Sequence, residues 1–232
     1  MNGGTERAGA SNGPSAGAAG SAGRGRRGRA WQSGIGSTLM FSLLWRFAQG
    51  ARELAGLSLA VGVALARVMR NEGASSAQLK WPNDVVLPGG KLAGILIEMQ
   101  GDVLGPSAAV IGIGINVRPD PRVVAAVDQP VADLETATGA SVDRNRLLAQ
   151  LLVELAAVLE RFAAGGFAPL RAEWQALHTH QDQPVCLTLP DGSELTGRAC
   201  GVADDGVLLL ETASGITRHH SGEVSLRPAR AG

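Results

Sequence analysis

The central part of the chain alternates short apolar runs with turn-forming residues, which is the pattern of β-strands. This pattern predicts four strands, over 38–47, 78–87, 91–100 and 108–117. Pro88, Gly89 and Gly90 separate the second strand from the third, as the turn of a hairpin does. Gly112 and Gly114 interrupt the last strand. A glycine inside a strand often marks a place where a ligand approaches the backbone.

Other segments carry the apolar spacing of amphipathic helices. Three helices are predicted, over 51–70, 144–164 and 167–178. The first contains Gly56 and Gly62, which we expect to be tolerated because the helix packs closely on the sheet. Asp143 is a favourable N-cap for the second helix, and Gly165 ends it. The intervening residues 118–131 contain three prolines and are predicted to be a loop.

The last fifty residues change to an alternation with period two, which is typical of short strands. Five strands are predicted there, over 184–190, 193–202, 206–211, 215–219 and 223–227. Asp191-Gly192 and Asp205-Gly206 have the sequence of hairpin turns. We therefore expect an α+β fold, with a mixed β-sheet and its helices over 23–181 and a small β-barrel domain over 182–229.

Composition narrows the class of protein. The chain has 232 residues, of which 45% are hydrophobic, enough for one sizeable core and a smaller one. Its formal net charge is zero, so there is no general reason to expect nucleic acid or an acidic membrane as partner. Cys186 and Cys200 make no disulfide framework. Residues 1–22, mostly Gly, Ala and Ser, are expected to be a disordered tail without a signal peptide, so we expect a cytoplasmic protein.

Several polar residues lie at the ends of the predicted strands. Lys80 and Lys91 are cations that can neutralise a carboxylate or a phosphate, although each taken alone is most simply a solvated surface lysine. Asp84 is the nearest candidate for Mg²⁺, which prefers one or two carboxylates together with phosphate oxygens. Asn83 and Asn116 can donate and accept hydrogen bonds. The group therefore suits the chemistry of an anion.

The stretch 23–31 reads GRGRRGRAW. Its glycines let backbone N–H groups approach an anion closely, and its arginines bind phosphate oxygens with two donors each. An RNA-binding or targeting tract has the same composition, so this stretch alone leaves the two alternatives open.

Together these stretches resemble the biotin protein ligases. The motifs that carry the resemblance follow one another in the family's order: GRGRRGRAW at 23–31, KWPND at 80–84, KLAGILIE at 91–98 and GIGIN at 112–116. The resemblance implies ATP-dependent activation of biotin to biotinyl-AMP, and transfer of biotin to a lysine of a biotin carboxyl-carrier protein. It implies ATP and Mg²⁺ as cofactors, an SH3-like barrel at the C-terminus, no DNA-binding domain and no membrane partner, and it leaves a homodimer open.

The resemblance also implies roles for individual residues. Lys91 holds the biotin carboxylate and the α-phosphate, and Arg26 closes the basic loop over the adenylate. The implied contacts to biotin or the adenylate are Gly23, Arg24, Gly25, Arg26, Lys91, Gly112 and Gly114. The implied contacts to the ATP phosphates are Arg29, Lys80, Asn83, Asn116 and Arg227, with Mg²⁺ near Asp84. Trp31, Trp45 and Trp174 are expected in the core.

The chain departs from the family pattern in two places. The family's catalytic domain begins with a strand and a helix that carry an Asp-Ser-Thr-Asn-like segment, followed by a glutamine where Gly20 stands here. We therefore expect that this first strand and helix are missing, that one edge of the main sheet is exposed, and that biotin binds weakly. In some members an aromatic residue of the loop at 118–131 stacks on adenine; here Val124, Val127 or Val131 would supply only apolar contact.

Two alternatives remain open. One is a lipoate or octanoate ligase or transferase, which shares the architecture. KWPND together with GRGRRGR favours biotin, because lipoate enzymes usually keep only the lysine region. The other is a truncated, inactive remnant that keeps the fold without turnover.

Overall fold

A computed structural model describes residues 14–15, 23–25, 28, 30–34, 36–48, 50–101, 105–189, 191–220 and 225–228. Within these residues a β-sheet with packed helices is followed by a smaller sheet, which confirms the α+β fold class. Arg26, Arg29 and most of the tail at 1–22 lie outside the described residues.

The first eight strands build the main sheet and a short ladder. They are β1 (Pro14–Ser15), β2 (Gly23–Arg24), β3 (Ala30–Trp31), β4 (Thr38–Phe47), β5 (Gln78–Lys80), β6 (Asp84–Leu87), β7 (Gly90–Gly101) and β8 (Ser107–Asn116). The main sheet has the order β1-β4-β8-β7-β6-β5, with antiparallel neighbours throughout, while β2 pairs with β3 alone. The parallel pairs are two isolated bridges, Leu79↔His178 and Lys91↔Val131, so the mixed character of the sheet is confined to them.

Strand positions differ from the prediction at three places, one of which is the short pair β2–β3, where no strand was predicted. The stretch 78–87, predicted as one strand, is two antiparallel strands joined by a turn, and the Trp81–Pro82 peptide bond in that turn is cis. Residues 14–15, predicted as part of the disordered tail, pair with β4 at Ser42 and Leu43. The edge of β4 that was expected to be exposed is therefore covered at these two positions.

The described residues also form five α-helices. They are α1 (Leu57–Asn71), α2 (Pro121–Ala126), α3 (Leu134–Thr138), α4 (Arg144–Gly165) and α5 (Ala168–Leu177). The helix predicted from residue 51 starts as a 3₁₀ turn, Ala51–Leu54, and α1 begins only after Gly56, which has a left-handed φ of 82°. The predicted loop at 118–131 contains α2, because Asp120 caps it by accepting a hydrogen bond from the Arg122 N–H at 3.0 Å. Asp143 caps α4 as predicted.

Helix α1 lies between one face of the main sheet and the helices α4 and α5. Gly62 faces the sheet, and a Cβ there would lie 3.4 Å from Leu79 and 3.8 Å from Ile95. These are ordinary van der Waals distances, so a Cβ would fit at Gly62, and the reason expected for that glycine stays a prediction. Helix α4 also contacts the sheet directly: the Phe162 ring meets the Phe47 ring of β4 edge-on, with centroids 6.0 Å apart.

Side chains alternate between the two faces of β8, so the residues buried on one face determine which residues lie on the other. Ala109, Ile111, Ile113 and Ile115 are buried. The residues between them share the opposite face with their partners across the ladder: Gly114 pairs with Met40 and Gly94, and Gly112 pairs with Ser42 and Leu96. We call these three glycines, Gly94, Gly112 and Gly114, the glycine strip.

The C-terminal part forms a five-stranded antiparallel sheet, and its buried residues, such as Val185 and Leu187, are continuous with the core of the main sheet. Its strands are β9 (Pro184–Thr188), β10 (Glu194–Val202), β11 (Leu208–Thr212), β12 (Gly215–His219) and β13 (Ser225–Pro228), in the order β12-β11-β10-β9-β13. Within the described residues Cys186 and Cys200 form no disulfide. Among the described residues no group of three His, Cys, Asp or Glu side chains is arranged to hold a metal ion, and no helix is long and apolar enough to cross a membrane.

Arg67 joins three helices through charged hydrogen bonds. From α1 it donates to Glu154 of α4 at 2.6 Å and to Glu173 of α5 at 2.7 Å. The hydrogen bond from Arg67 is the largest cause that lowers the pKa of Glu173. Bidentate pairing of an arginine with a carboxylate is one of the stronger charged contacts in proteins.

We predict that Arg67→Met lowers the free energy of unfolding at pH 7 by about 1–2 kcal/mol, a modest value because both carboxylates are partly exposed. A carboxylate whose pKa is lowered by folding stabilises the protein above its ordinary pKa of 4.5 and loses that contribution as the pH falls. The difference from wild type should therefore shrink between pH 5 and about pH 3. Urea unfolding at both pH values measures it. Arg70→Met, on the exposed side of α1, is the control; an equal loss in both variants would contradict the prediction.

Candidate functional site

An ion pair lies at the start of β6 and β7. Lys91 Nζ is 2.7 Å from Asp84 Oδ1, and each side chain is 18% exposed. Such partial burial strengthens the attraction while leaving the ammonium open to a second anion. Lysine carries three donors, so Asp84 leaves others for an incoming carboxylate or phosphate.

Trp31 covers part of the glycine strip beside Lys91. A Cβ on Gly114 would lie 2.6 Å from Trp31 Cε2, and one on Gly94 would lie 2.7 Å from Trp31 Cζ3. The Lys91 ammonium is 5.2 Å from the centroid of the indole, a cation–π distance. Gly112 makes only ordinary contacts, the nearest at 3.5 Å. The prediction that Trp31 belongs to the core is wrong, because the half-buried ring lies on Gly94 and Gly114, on the face of the sheet opposite the buried core.

The short ladder of β2 and β3 brings the basic stretch to the same face of the sheet. Gly23 pairs with Trp31 and Arg24 pairs with Ala30. A Cβ on Gly23 would displace the flexible end of the Met40 side chain and would lie 3.1 Å from Trp31 Cβ, so the backbone of Gly23 packs directly against both residues. The Arg24 side chain is exposed. The described start of the basic stretch therefore lies beside the glycine strip, as its implied role requires.

Positive charge collects around Lys80. Burial lowers the pKa of Lys80, and the charges of Lys91 and Arg227 lower it further, while Asp84 acts in the opposite direction. Arg227 reaches this group from β13 of the C-terminal sheet, where it is exposed. Three cations thus act within range of one carboxylate, an excess of positive charge that suits a polyphosphate.

Two histidines, His178 and His180, lie near Lys80. His178 is 4% exposed and stacks on Trp174, with ring centroids 4.6 Å apart. Burial lowers the pKa of His178 to about 3. Burial also lowers the pKa of His180, and the charge of Lys80 adds to the effect. Both rings are therefore neutral at physiological pH and add no repulsion beside Lys80.

The two asparagines hold the backbone around the site. Asn83 Nδ2 donates to the Ile95 carbonyl at 2.7 Å, and Asn116 Nδ2 donates to the Lys91 carbonyl at 3.1 Å. Both bonds use the amide nitrogen, and the role of these amides in orienting phosphates stays a prediction. They fix the positions of β6 and β7 and so of the charged pair.

A cleft lies beyond Trp31, at the end of β8. It is lined by Gln32, Ser33, Gly34, Asp120, Arg122 and Val123. Ser37 Oγ donates to the buried Asp120 carboxylate at 3.1 Å, and hydrogen bonds from Arg122 are the largest cause that lowers the pKa of Asp120. Sequence reasoning missed Asp120, although an aspartate before Pro121 is a recognisable start of a helix.

Comparison with protein families matches both parts of the chain. Residues 7–116 match the biotin/lipoate A/B protein ligase family, and residues 180–227 match the biotin protein ligase C terminal domain. The first match contains the glycine strip and the Lys91–Asp84 pair.

Curated relatives agree with these matches. The chain is 42% identical over 201 residues to the bifunctional ligase/repressor BirA of Escherichia coli K12, covering 87% of this chain and 62% of that protein. It is 35% identical over 178 residues to the biotin–[acetyl-CoA-carboxylase] ligase of Paracoccus denitrificans, covering 75% of this chain and 74% of that protein. The chain therefore spans about three fifths of the length of the E. coli protein.

Solved structures share the fold over most of the chain. Biotin protein ligase from Aquifex aeolicus in complex with biotin and ATP superimposes with a TM-score of 0.73 at 28% identity, covering 89% of this chain and 84% of that one. Its apo structure gives a TM-score of 0.70, covering 83% of each chain. Since sequence and fold agree over both parts, and since the matched residues include those that surround Lys91, the chain belongs to the biotin protein ligase family.

Proposed function

We propose that the protein joins biotin to a lysine of a biotin carboxyl-carrier domain, with biotinyl-AMP as the intermediate. The observation that carries this proposal is the Lys91 ammonium, held 2.7 Å from Asp84 beside the glycine strip, with Lys80 and Arg227 adding positive charge. The A. aeolicus neighbour, in complex with biotin and ATP, supports the same ligands for this chain. No side chain needs to become covalently attached, so catalysis rests on positioning and charge stabilisation.

In the first step a biotin carboxylate oxygen attacks the α-phosphorus of ATP. A new P–O bond forms between the carboxylate oxygen and the α-phosphorus. The bond between the α-phosphorus and the oxygen that bridges to the β-phosphate breaks, and pyrophosphate leaves with the electron pair. Lys91 holds the carboxylate against the α-phosphate and stabilises the negative charge that develops there. The β- and γ-phosphates are bound by Lys80, Arg227 and Arg29.

Magnesium fits this arrangement as part of the nucleotide. Asp84 is a suitable single protein ligand, because Mg²⁺ bound to phosphates needs only one or two carboxylates and otherwise keeps water. The ion would reduce the charge of the phosphates. Asp84 would then bridge the ion and the Lys91 ammonium.

In the second step the neutral ε-amine of the carrier lysine attacks the carbonyl carbon of the mixed anhydride. An amide bond forms, the bond to AMP breaks, and the amine gives up a proton. Arg24 and Arg26 close the basic loop and limit hydrolysis of the adenylate in the meantime. Gly112 and the Trp31 ring, which itself lies on Gly114, offer an apolar surface for the biotin rings.

A lipoate or octanoate enzyme is the second candidate, since the family matched over residues 7–116 includes lipoate ligases. The separate match of residues 180–227 to the biotin protein ligase C terminal domain favours biotin. Titration with biotin and with lipoate distinguishes the two.

Lys91→Ala should lower the rate of biotin-dependent pyrophosphate release by about 100- to 1,000-fold, the usual loss when one group that stabilises developing charge is removed. Pyrophosphate release measures the rate, and urea unfolding checks that the variant is folded. Arg144→Ala, which removes an exposed cation at the start of α4, is the control and should keep the wild-type rate. Near-normal release by folded Lys91→Ala would refute the role of Lys91, and a wild-type chain without release would support an inactive remnant.

Substitutions at Gly112 and Gly114 test two different surfaces, because the Trp31 indole lies against Gly114, whereas Gly112 has Leu96 and Ser42 as its nearest neighbours. Gly112→Ala should leave Trp31 fluorescence of the free protein unchanged, because its methyl group meets Leu96 and Ser42 only at ordinary contact distances. It should weaken biotin binding, because the methyl group takes up part of the face on which we propose that biotin lies. Gly114→Ala should change both, because its methyl group displaces the indole. Fluorescence, with Trp31→Phe as reference, and calorimetric titration of biotin measure the two effects. Wild-type biotin affinity in Gly112→Ala would place the biotin site elsewhere.

Arg26 lies outside the described residues, so its role rests on the resemblance. Arg26→Gly should weaken retention of the adenylate more than its formation, because an arginine binds phosphate but makes no bond. The variant should therefore label a non-cognate protein with biotin more than wild type does. Arg27→Gly is the matched control. If labelling by Arg26→Gly does not rise, Arg26 does not retain the adenylate.

A further inference from the structure

The turn between β10 and β11, residues 203–207, rests on the beginning of α1. Gly206 has a left-handed φ of 75°, and a Cβ there would lie 2.7 Å from Gly56 Cα and 3.1 Å from Leu59 Cδ1. Backbone meets backbone at this point, so no rotation of a side chain could make room. Arg171 of α5 pairs with Asp204 of the turn at 3.2 Å and holds it from a second side.

The same turn binds the indole of Trp81. Trp81 Nε1 donates to the Gly206 carbonyl at 3.2 Å, and the side chain is 1% exposed. A buried indole N–H that loses its acceptor is costly, because no water replaces the bond. The position of Gly206 therefore sets where the Trp81 ring can lie.

Trp81 belongs to the turn that connects β5 to β6, and Lys80 and Asp84 stand at its two ends. The turn is also held from α1, because Ser58 Oγ donates to the Pro82 carbonyl at 3.1 Å. The start of α1 thus touches both turns. A shift of the C-terminal turn passes through Trp81 to the backbone that carries the two charged groups.

We infer that the turn at 203–207 is a positioning element for the ATP phosphates, acting through Trp81 on Lys80 and Asp84. Gly206 and Trp81 are positioning residues, and neither needs to touch the nucleotide. The C-terminal domain then contributes to ATP binding in a second way, besides Arg227. This inference rests on the proposed function, because it takes Lys80 and Asp84 to be the phosphate and magnesium contacts.

Gly206→Ala is the test and Gly192→Ala its matched control. Both glycines follow an aspartate in a turn of the C-terminal sheet, and Gly192 has a similar φ of 83°, but a Cβ at Gly192 would meet nothing within 4 Å. The two substitutions carry the same backbone strain, and only the first displaces the turn from α1. Gly206→Ala should raise the Kd for MgATP about tenfold or more, since a misplacement of about 1 Å can cost that much.

The Kd values for MgATP and for biotin are measured by calorimetry on the full chain, with melting temperatures recorded. The inference requires that Gly206→Ala raises the Kd for MgATP while its Kd for biotin stays within about twofold of wild type. It also requires that Gly192→Ala has the wild-type Kd for each of the two ligands. Equal MgATP affinity in the two variants, or equal weakening of biotin and MgATP in Gly206→Ala, would overturn it. Wild type that binds MgATP but releases no pyrophosphate would overturn only the proposed function, and wild type that binds no MgATP would overturn both.

Trp81→Phe gives a second, milder variant that keeps a buried ring and removes the donor. It should also raise the MgATP Kd and not the biotin Kd. Trp45→Phe, which removes an indole that packs against the core from β4, controls for loss of packing and should change neither. A Trp81→Phe protein with the MgATP Kd of wild type would show that the hydrogen bond to Gly206 does not position the site.

Discussion

One face of the main sheet is buried beneath α1, and this constraint decides what the other face offers. Because Ala109, Ile111, Ile113 and Ile115 point into the core, Gly112 and Gly114 must point away from it. A strand face of glycines has no side chains to fill the space above it, so the Trp31 ring can lie directly on Gly94 and Gly114. The same absence leaves only ordinary contacts at Gly112, where the atom nearest to an added Cβ is 3.5 Å away.

The charges are arranged around this strip by backbone contacts. Asn116 fixes the Lys91 carbonyl and Asn83 fixes Ile95, so that the pair of Lys91 and Asp84 is held from both neighbouring strands. Positioning of this kind favours catalysis by charge stabilisation, since the groups need not reorganise when charge develops on the substrate. The neutral state of the buried histidines near Lys80 keeps the positive charge limited to groups that can reach a phosphate.

The C-terminal domain takes part in this arrangement through two contacts of different kinds. Arg227 acts through its charge, at a distance. The turn at Gly206 acts through shape and one hydrogen bond, on a tryptophan that lies between Lys80 and Asp84 in the sequence. In the function that we propose, the phosphate contacts come from both parts of the chain, so binding of ATP depends on how the C-terminal sheet docks on the rest.

The sequence by itself determined the fold class, most strands, the cap of α4 at Asp143 and the motifs that identify the family. These features follow from local periodicity and turn chemistry, which a reader of the sequence can see. It did not place Trp31, which was assigned to the core because a lone tryptophan is usually buried. Nor did it predict that the asparagine amides bind carbonyls or that Gly206 meets Trp81. Tertiary structure decided these points, because each depends on a partner far away in the chain, and no local pattern records which distant backbone atom will be within reach.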